Sequence, residues 1–394
     1  VDTWLTASLW VGLALISALI SIRIGISVAL VEIGVGVLAG NFLHIRPNDW
    51  VNFLAGFGSI LLTFLAGAEI DPDVLRANLK ESLVIGFVAF LFPAIGAFAA
   101  AYWLLHWSFA GAAICGIALS TTSVAVVYAV MVETGLNETE IGKVILSACF
   151  VNDLGTVVAL GLVFANYNRS LLAFVLVAIV GLWGLPVFSK WYFQTVGNRV
   201  SEPEIKFILF VLFALGSMAT MAGSEAVLPA YLVGLVLARQ FLGNRVLMHR
   251  MRAIAFSVLT PFYFLKAGSL VALKSLVSPL AIAIVLGLLA VKMATKFVAV
   301  MPSTLAFKFG RRKGLYTTLL MSTGLTFGTI SSLYGFTHHH IDQTQYTWLV
   351  TVIILSAVVP TLIAERFFRP KTEPLPKETS AFPVVTGERA ESEA

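Results

Sequence analysis

Charge is scarce in this chain. Only 12% of its 394 residues are Asp, Glu, Lys or Arg, against about 25% in soluble domains. Together with 58% hydrophobic residues, that scarcity excludes a soluble fold and implies a protein that crosses the membrane many times. Cysteine is nearly absent. The two present, Cys115 and Cys149, both lie inside apolar runs, which excludes a disulfide framework and a thiolate zinc site. There is no Gly-rich phosphate loop, no Cys/His metal spacing and no nucleophile–base pair, so neither an enzyme nor a cofactor is expected. The formal net charge is +5, but the basic residues are spread over short loops and the tail. Nucleic acid is therefore not an expected partner; the lipid bilayer is.

What the chain does have is long hydrophobic runs. Hydropathy divides it into thirteen spans near 3–21, 25–43, 50–70, 82–105, 108–132, 140–165, 170–191, 205–223, 226–242, 252–271, 277–305, 315–335 and 346–367. Each is near the ~20 residues that a helix needs to cross hydrocarbon. The expectation is an all-α polytopic membrane protein. The first run reads as a retained helix, because many others follow it. With the N-terminus outside, the inner loops and tail carry 20 of the 26 Lys and Arg, and the outer loops carry Arg46, Arg169 and Lys274. That bias places the C-terminus in the cytoplasm and favours an odd number of spans. The polar stretch 368–394, with Pro370, Pro374, Pro376 and Pro383, reads as a disordered cytoplasmic tail.

Two spans carry an interruption. The fifth contains Ser120-Thr121-Thr122-Ser123, and the twelfth contains Ser322-Thr323-Gly324-Leu325-Thr326-Phe327-Gly328-Thr329. Gly and Thr disfavour a helix interior, and hydroxyls satisfy freed backbone groups. The two spans are seven apart, so they cross in opposite directions. Interrupted spans at matching positions of two halves point to inverted repeats around a midplane ion site.

The sixth span carries Asp153 near its middle. A carboxylate there costs about 2.5–3.5 kcal/mol or more to insert, so a function is the default reading. Taking a carboxylate out of water disfavours its charged form. One such group can hold a proton at one time and an alkali cation at another. Asn152 precedes it and either orients the site or makes an interhelical contact. Lys292 and Lys296 are one turn apart on one helix face. Each is either the counter-charge of the acid or a partner of backbone carbonyls or cavity water. Thr121, Thr122, Ser123 and Thr326 offer the oxygens that a hard cation needs, or they bond back to their own helix. Beyond the transported cation no metal is expected. Glu69 and His338-His339-His340 read as solvated loop residues, and Glu32 as buried.

From Ile24 to Arg366 the chain resembles the monovalent cation:proton antiporter superfamily, the bacterial sodium/proton and potassium/proton exchangers. The resemblance rests on Val31-Glu32-Ile33-Gly34-Val35-Gly36-Val37-Leu38-Ala39-Gly40, on Phe64-Leu65-Ala66-Gly67-Ala68-Glu69-Ile70-Asp71, on Ser120 to Val124, on Asn152-Asp153, and on Lys296 with Arg312, Gly314 and Leu315. It implies a homodimer of elevator type in the bacterial inner membrane. Residues 1–70 and 205–271 would form a dimerisation scaffold (spans 1–3 and 8–10). Residues 82–165 and 277–367 would form a moving core (spans 4–6 and 11–13), with 170–191 as linker. Asp153 would carry the ion and the proton, with Lys296 as its basic partner. Electrogenic members carry Asp-Asp, whereas Asn152-Asp153 is the electroneutral pattern. Electroneutral members often hold Glu and Ser where Ala148 and Cys149 stand here. The function so implied is electroneutral exchange of Na⁺ or K⁺ for H⁺. The alternatives are a sodium-coupled organic-solute symporter of similar fold, or a cation channel.

Overall fold

In hydrocarbon no water serves the backbone, so each span must close its own hydrogen bonds as a helix. The computed structural model describes residues 3–24, 27–134, 136, 139–164, 169–197, 199–222 and 226–370, and these are helical with short connections. The helices are α1 (Thr3–Ile24), α2 (Val28–Phe42), α3 (Asp49–Ala68), α4 (Pro72–Ala77), α5 (Leu79–Ala99), α6 (Phe109–Ser120), α7 (Val124–Thr134), α8 (Glu140–Val163) and α9 (Arg169–Val196). Then follow α10 (Pro203–Met221), α11 (Val227–Gly243), α12 (Arg245–Ile254), α13 (Thr260–Ser269), α14 (Pro279–Ala306), α15 (Gly310–Met321), α16 (Thr326–Thr337) and α17 (Gln343–Ile363). Single π-turns extend α5, join α12 to α13, and extend α17. Eight of the described helices are long and apolar enough to cross a membrane, and α2, α6 and α11 are shorter apolar helices. Every span expected from hydropathy coincides with a helix or with a pair of half-helices. The tail expectation falls, from residue 371 on, outside the described residues.

Both expected interruptions are present. Span five is α6 and α7, separated by Thr121–Ser123. Span twelve is α15 and α16, separated by Ser322–Leu325. α6 packs on α16, so the two interrupted spans meet.

The packing pattern has a symmetry. α2 lies on α13, and α11 lies on α3. α5 contacts α6 and α8, while α14 contacts α15 and α17. Adding seven to each span number in the first half converts one set of contacts into the other. That is the behaviour of two repeats related by a pseudo-two-fold axis in the membrane plane.

Lipid tails are as apolar as Leu, so helix association here depends on close backbone approach. Glycine supplies it. A Cβ on Gly36 or Gly40 would overlap the carbonyl of Leu265 or Ser269, and one on Gly268 would overlap that of Ile33. Gly67 and Gly234 interlock in the same way with Tyr231 and Phe64. On α14, Gly287 has nothing within 4 Å of its would-be Cβ. We expect Gly234→Ala to destabilise by at least about 1–3 kcal/mol through overpacking. Gly287→Ala should leave the thermal midpoint in detergent unchanged or slightly raised.

Candidate ion site at the helix crossing

Breaking a helix in mid-membrane orphans its terminal N–H and C=O groups. Here hydroxyls, an amide and a lysine serve several of these groups. At the end of α6, the Ser120 hydroxyl donates to the Ile117 carbonyl (2.8 Å) and the Thr121 hydroxyl to that of Ala118 (3.0 Å). At the end of α15, Ser322 donates to Thr318 (2.7 Å) and Thr323 to Leu320 (2.8 Å). The two breaks are also tied together. Ser123 N donates to the Thr323 carbonyl at 3.1 Å, and the Thr122 hydroxyl donates to the Met321 carbonyl at 2.7 Å.

α8 adds a clamp. Asn152 Oδ1 accepts from Thr122 N (2.9 Å), and its Nδ2 donates to the Ser120 carbonyl (3.2 Å). An amide can serve a donor and an acceptor on the same stretch of backbone without changing charge. α14 supplies the cations. Lys296 Nζ donates to the Thr122 hydroxyl at 2.9 Å. One turn earlier, Lys292 Nζ donates to the Thr121 carbonyl (3.3 Å) and to Ser356 Oγ on α17 (3.1 Å). Both lysines are fully buried. They meet oxygens at the carbonyl end of α6, where the helix dipole is negative. Gly324 makes room, since a Cβ there would collide with Lys292 Nζ.

Asp153 lies beside this clamp and is 1% exposed. Its Oδ1 has no hydrogen-bond partner among the described residues. Lys296 is near enough for its charge to act on the carboxylate, yet no described ion pair joins Asp153 to either lysine. Such an oxygen, buried and unpaired, costs about 1–3 kcal/mol or more. A proton or a cation would satisfy it.

The structure thus gathers Asp153, Asn152, Thr121, Thr122, Ser123, Lys292 and Lys296. Thr326 begins α16, is half-buried, and takes no part in these hydrogen bonds. Sequence reasoning missed Ser356 and Met321, and it read Gly324 as part of the break without its contact to Lys292. Ser356 had one available signal, as a hydroxyl in an otherwise apolar stretch of span thirteen.

Other singled-out residues lie elsewhere. Glu69 is not a free loop carboxylate, because it pairs with Arg252 at 2.8 Å. Glu32 is 2% exposed on α2, with Oε2 unpartnered. His338 and His339 are exposed, and the three histidines form no metal-holding group among the described residues. His340 packs on Phe164 with tilted rings whose centroids are 4.7 Å apart. Its burial and the neighbouring His338 hold it below the usual imidazole range. A cavity of about 230 Å³ opens beside these histidines, between α3, α11 and α13 on one side and α16 on the other.

Crossed interrupted helices around a buried carboxylate define the class of membrane secondary transporters built from inverted repeats. The profile of the transmembrane sodium/hydrogen exchanger family matches residues 11–369, and the chain belongs to that family. A protein of Methanocaldococcus jannaschii named as a probable Na⁺/H⁺ antiporter is 26% identical over 355 residues, 87% of this chain and 89% of that one. A Na⁺/H⁺ antiporter of Enterococcus hirae is 24% identical over 365 residues, 88% and 93% of the two chains. The solved structure of a sodium proton antiporter from M. jannaschii shares the fold, with a TM-score of 0.67 at 16% identity, covering 91% of this chain and 94% of that one.

The clamp makes a prediction about Asn152→Asp. The carboxylate would keep its bond to Thr122 N but set an oxygen against the Ser120 carbonyl. We expect a loss of about 1–3 kcal/mol at neutral pH. The loss should shrink as pH falls, because a protonated Asp again donates to Ser120. Thermal midpoints of variant and parent across pH measure this; a gap that widens in acid would contradict it.

Proposed function

We propose that this chain is an electroneutral antiporter that exchanges one Na⁺ or K⁺ for one H⁺, with Asp153 holding either in turn. One observation carries the proposal: Asp153 is the sealed carboxylate at the crossing whose Oδ1 has no bond to break. Its neighbour Asn152 is uncharged and fully used by the backbone. The lysines answer to oxygens of the crossing and of α17. A single titrating acid therefore sits at the site. Its proton-loaded and cation-loaded forms carry the same charge, so the exchange moves no net charge.

Only a neutralised Asp153 crosses the apolar barrier cheaply, and that couples the two fluxes. Alternation is proposed to be of elevator type. The helices of spans 4–6 and 11–13 would move as a core against a dimeric scaffold of spans 1–3 and 8–10, with α9 as linker. The division of the packing into these two sets supports the reading. The cavity beside His338 lies along the boundary between them. The charge bias of the loops supports a bacterial inner-membrane orientation with the N-terminus outside and the C-terminus in the cytoplasm.

The test is cation-driven proton movement in proteoliposomes under a clamped membrane potential. We expect a rate independent of voltage and lost in Asp153→Asn. Below the range where Asp153 titrates, each unit drop in pH should raise the half-saturating cation concentration about tenfold, because proton and cation compete for one group. A voltage-dependent rate, or turnover surviving in Asp153→Asn, would overturn the proposal.

A further inference from the structure

The cavity beside His338 stops short of α8. Its lining comes from α3, α11, α13, α16 and their ends, and no residue of α8 takes part. Val227 and Ile330 line it on α11 and α16. One turn further along each helix toward the crossing, Tyr231 and Phe327 meet edge to face, with ring centroids 6.3 Å apart. Both are buried. Beyond that contact the Tyr231 hydroxyl donates to the Phe150 carbonyl on α8 at 3.1 Å. Phe150 is about one turn from Asp153.

This bond joins α11 of the proposed scaffold to α8 of the proposed core. The other polar links between those two sets, among the described residues, sit where the chain itself passes from one to the other. Tyr346 donates to the Ala267 carbonyl (2.6 Å) and Gln343 to that of Leu270 (3.4 Å), beside the connection from α13 to α14. Arg239 pairs with Asp73 at 3.1 Å, beside the connection from α3 to α5. Displacement is smallest near such tethers. Tyr231 and Phe150 lie within α11 and α8, away from both connections. A slide of about 1–2 Å there is enough to part them, because a hydrogen bond is lost by about 3.6 Å.

We propose that the Tyr231 hydroxyl latches α11 to α8 while the His338 side of the ion site is shut, and so sets how much cation that side needs. Tyr231 is a positioning residue, acting through the placement of α8. The inference rests on the elevator reading above. A binding form that is populated for a fraction of the time shows an affinity weakened by that fraction. The latch favours the shut form, so it raises the half-saturating cation concentration on the His338 side.

Tyr231→Phe tests it. The ring stays to meet Phe327, and the Phe150 carbonyl keeps its place in the helix ladder. Cation-driven proton flux is measured in right-side-out and in inside-out membrane vesicles, with Na⁺ or K⁺ supplied to one face at a time. The half-saturating concentration on the His338 face should fall about three- to tenfold, while that on the opposite face stays or rises. Phe327→Leu, which removes the ring that Tyr231 meets, should move the ratio of the two values the same way, and it carries the test if the first variant does not assemble. Tyr263→Phe is the control, since this phenol lines the same cavity and its hydroxyl has no hydrogen-bond partner among the described residues. It should leave both values as in the parent. An unchanged ratio in Tyr231→Phe, or two values that move together, would overturn this inference while leaving antiport standing. A parent that exchanges no cation for protons overturns both.

Discussion

The structure depends on closing two broken helices inside a low-dielectric slab. A helix that stops in mid-membrane leaves carbonyls and amides that no water can serve. This chain crosses its two breaks so that each serves the other, with Ser123 N on the Thr323 carbonyl and the Thr122 hydroxyl on that of Met321. Everything else at the centre follows from what those bonds leave over. Asn152 takes one donor and one acceptor from the first break. Lys292 and Lys296 meet the oxygens at its carbonyl end. Asp153 Oδ1 is left without a hydrogen-bond partner among the described residues, which is why the proposed mechanism loads that carboxylate.

Under the proposed mechanism, this arrangement separates structural charge from working charge. A buried cation with no acid beside it would be costly in an apolar setting. The lysines find oxygens instead, at a helix end where positive charge is favoured. Lys292 in particular bridges α14 to both the first break and α17 through Ser356. With the cations held by backbone and hydroxyl groups, loading or unloading Asp153 need not break a salt bridge. The glycine contacts between α2 and α13, and between α3 and α11, serve a different end. They interlock helices of the proposed scaffold through backbone rather than through exchangeable polar pairs. A rigid frame around a core with internal hydrogen bonds is what a carrier of this kind requires.

Much of this was legible in the chain itself. Hydropathy located the spans because a bilayer imposes length on every helix. The hydroxyl and glycine runs located the breaks, since Ser120–Ser123 and Ser322–Thr326 suit the cap of a helix better than its middle. Asp153 stood out by its insertion cost. The partner of Lys296 did not, because a lysine in an apolar run specifies a need for oxygen but not which oxygen. Composition alone sets Thr326 beside Thr121, Thr122 and Ser123 as a source of oxygens, yet only three-dimensional register decides which hydroxyls face the crossing. Ser356 and Met321 come from other spans as single residues with no periodic pattern. Their roles follow from packing between helices far apart in sequence, such as the 64 residues separating Ser356 from Lys292.

The central claim is that one buried carboxylate exchanges a proton for a cation. Proton release on cation binding tests it most directly. The purified protein, in weakly buffered detergent solution below the titration range of Asp153, is mixed with Na⁺ or K⁺ while pH and bound cation are followed together. The account predicts close to one proton released per cation bound, and neither event in Asp153→Asn. Cation binding without proton release, or release that persists in Asp153→Asn, would contradict it.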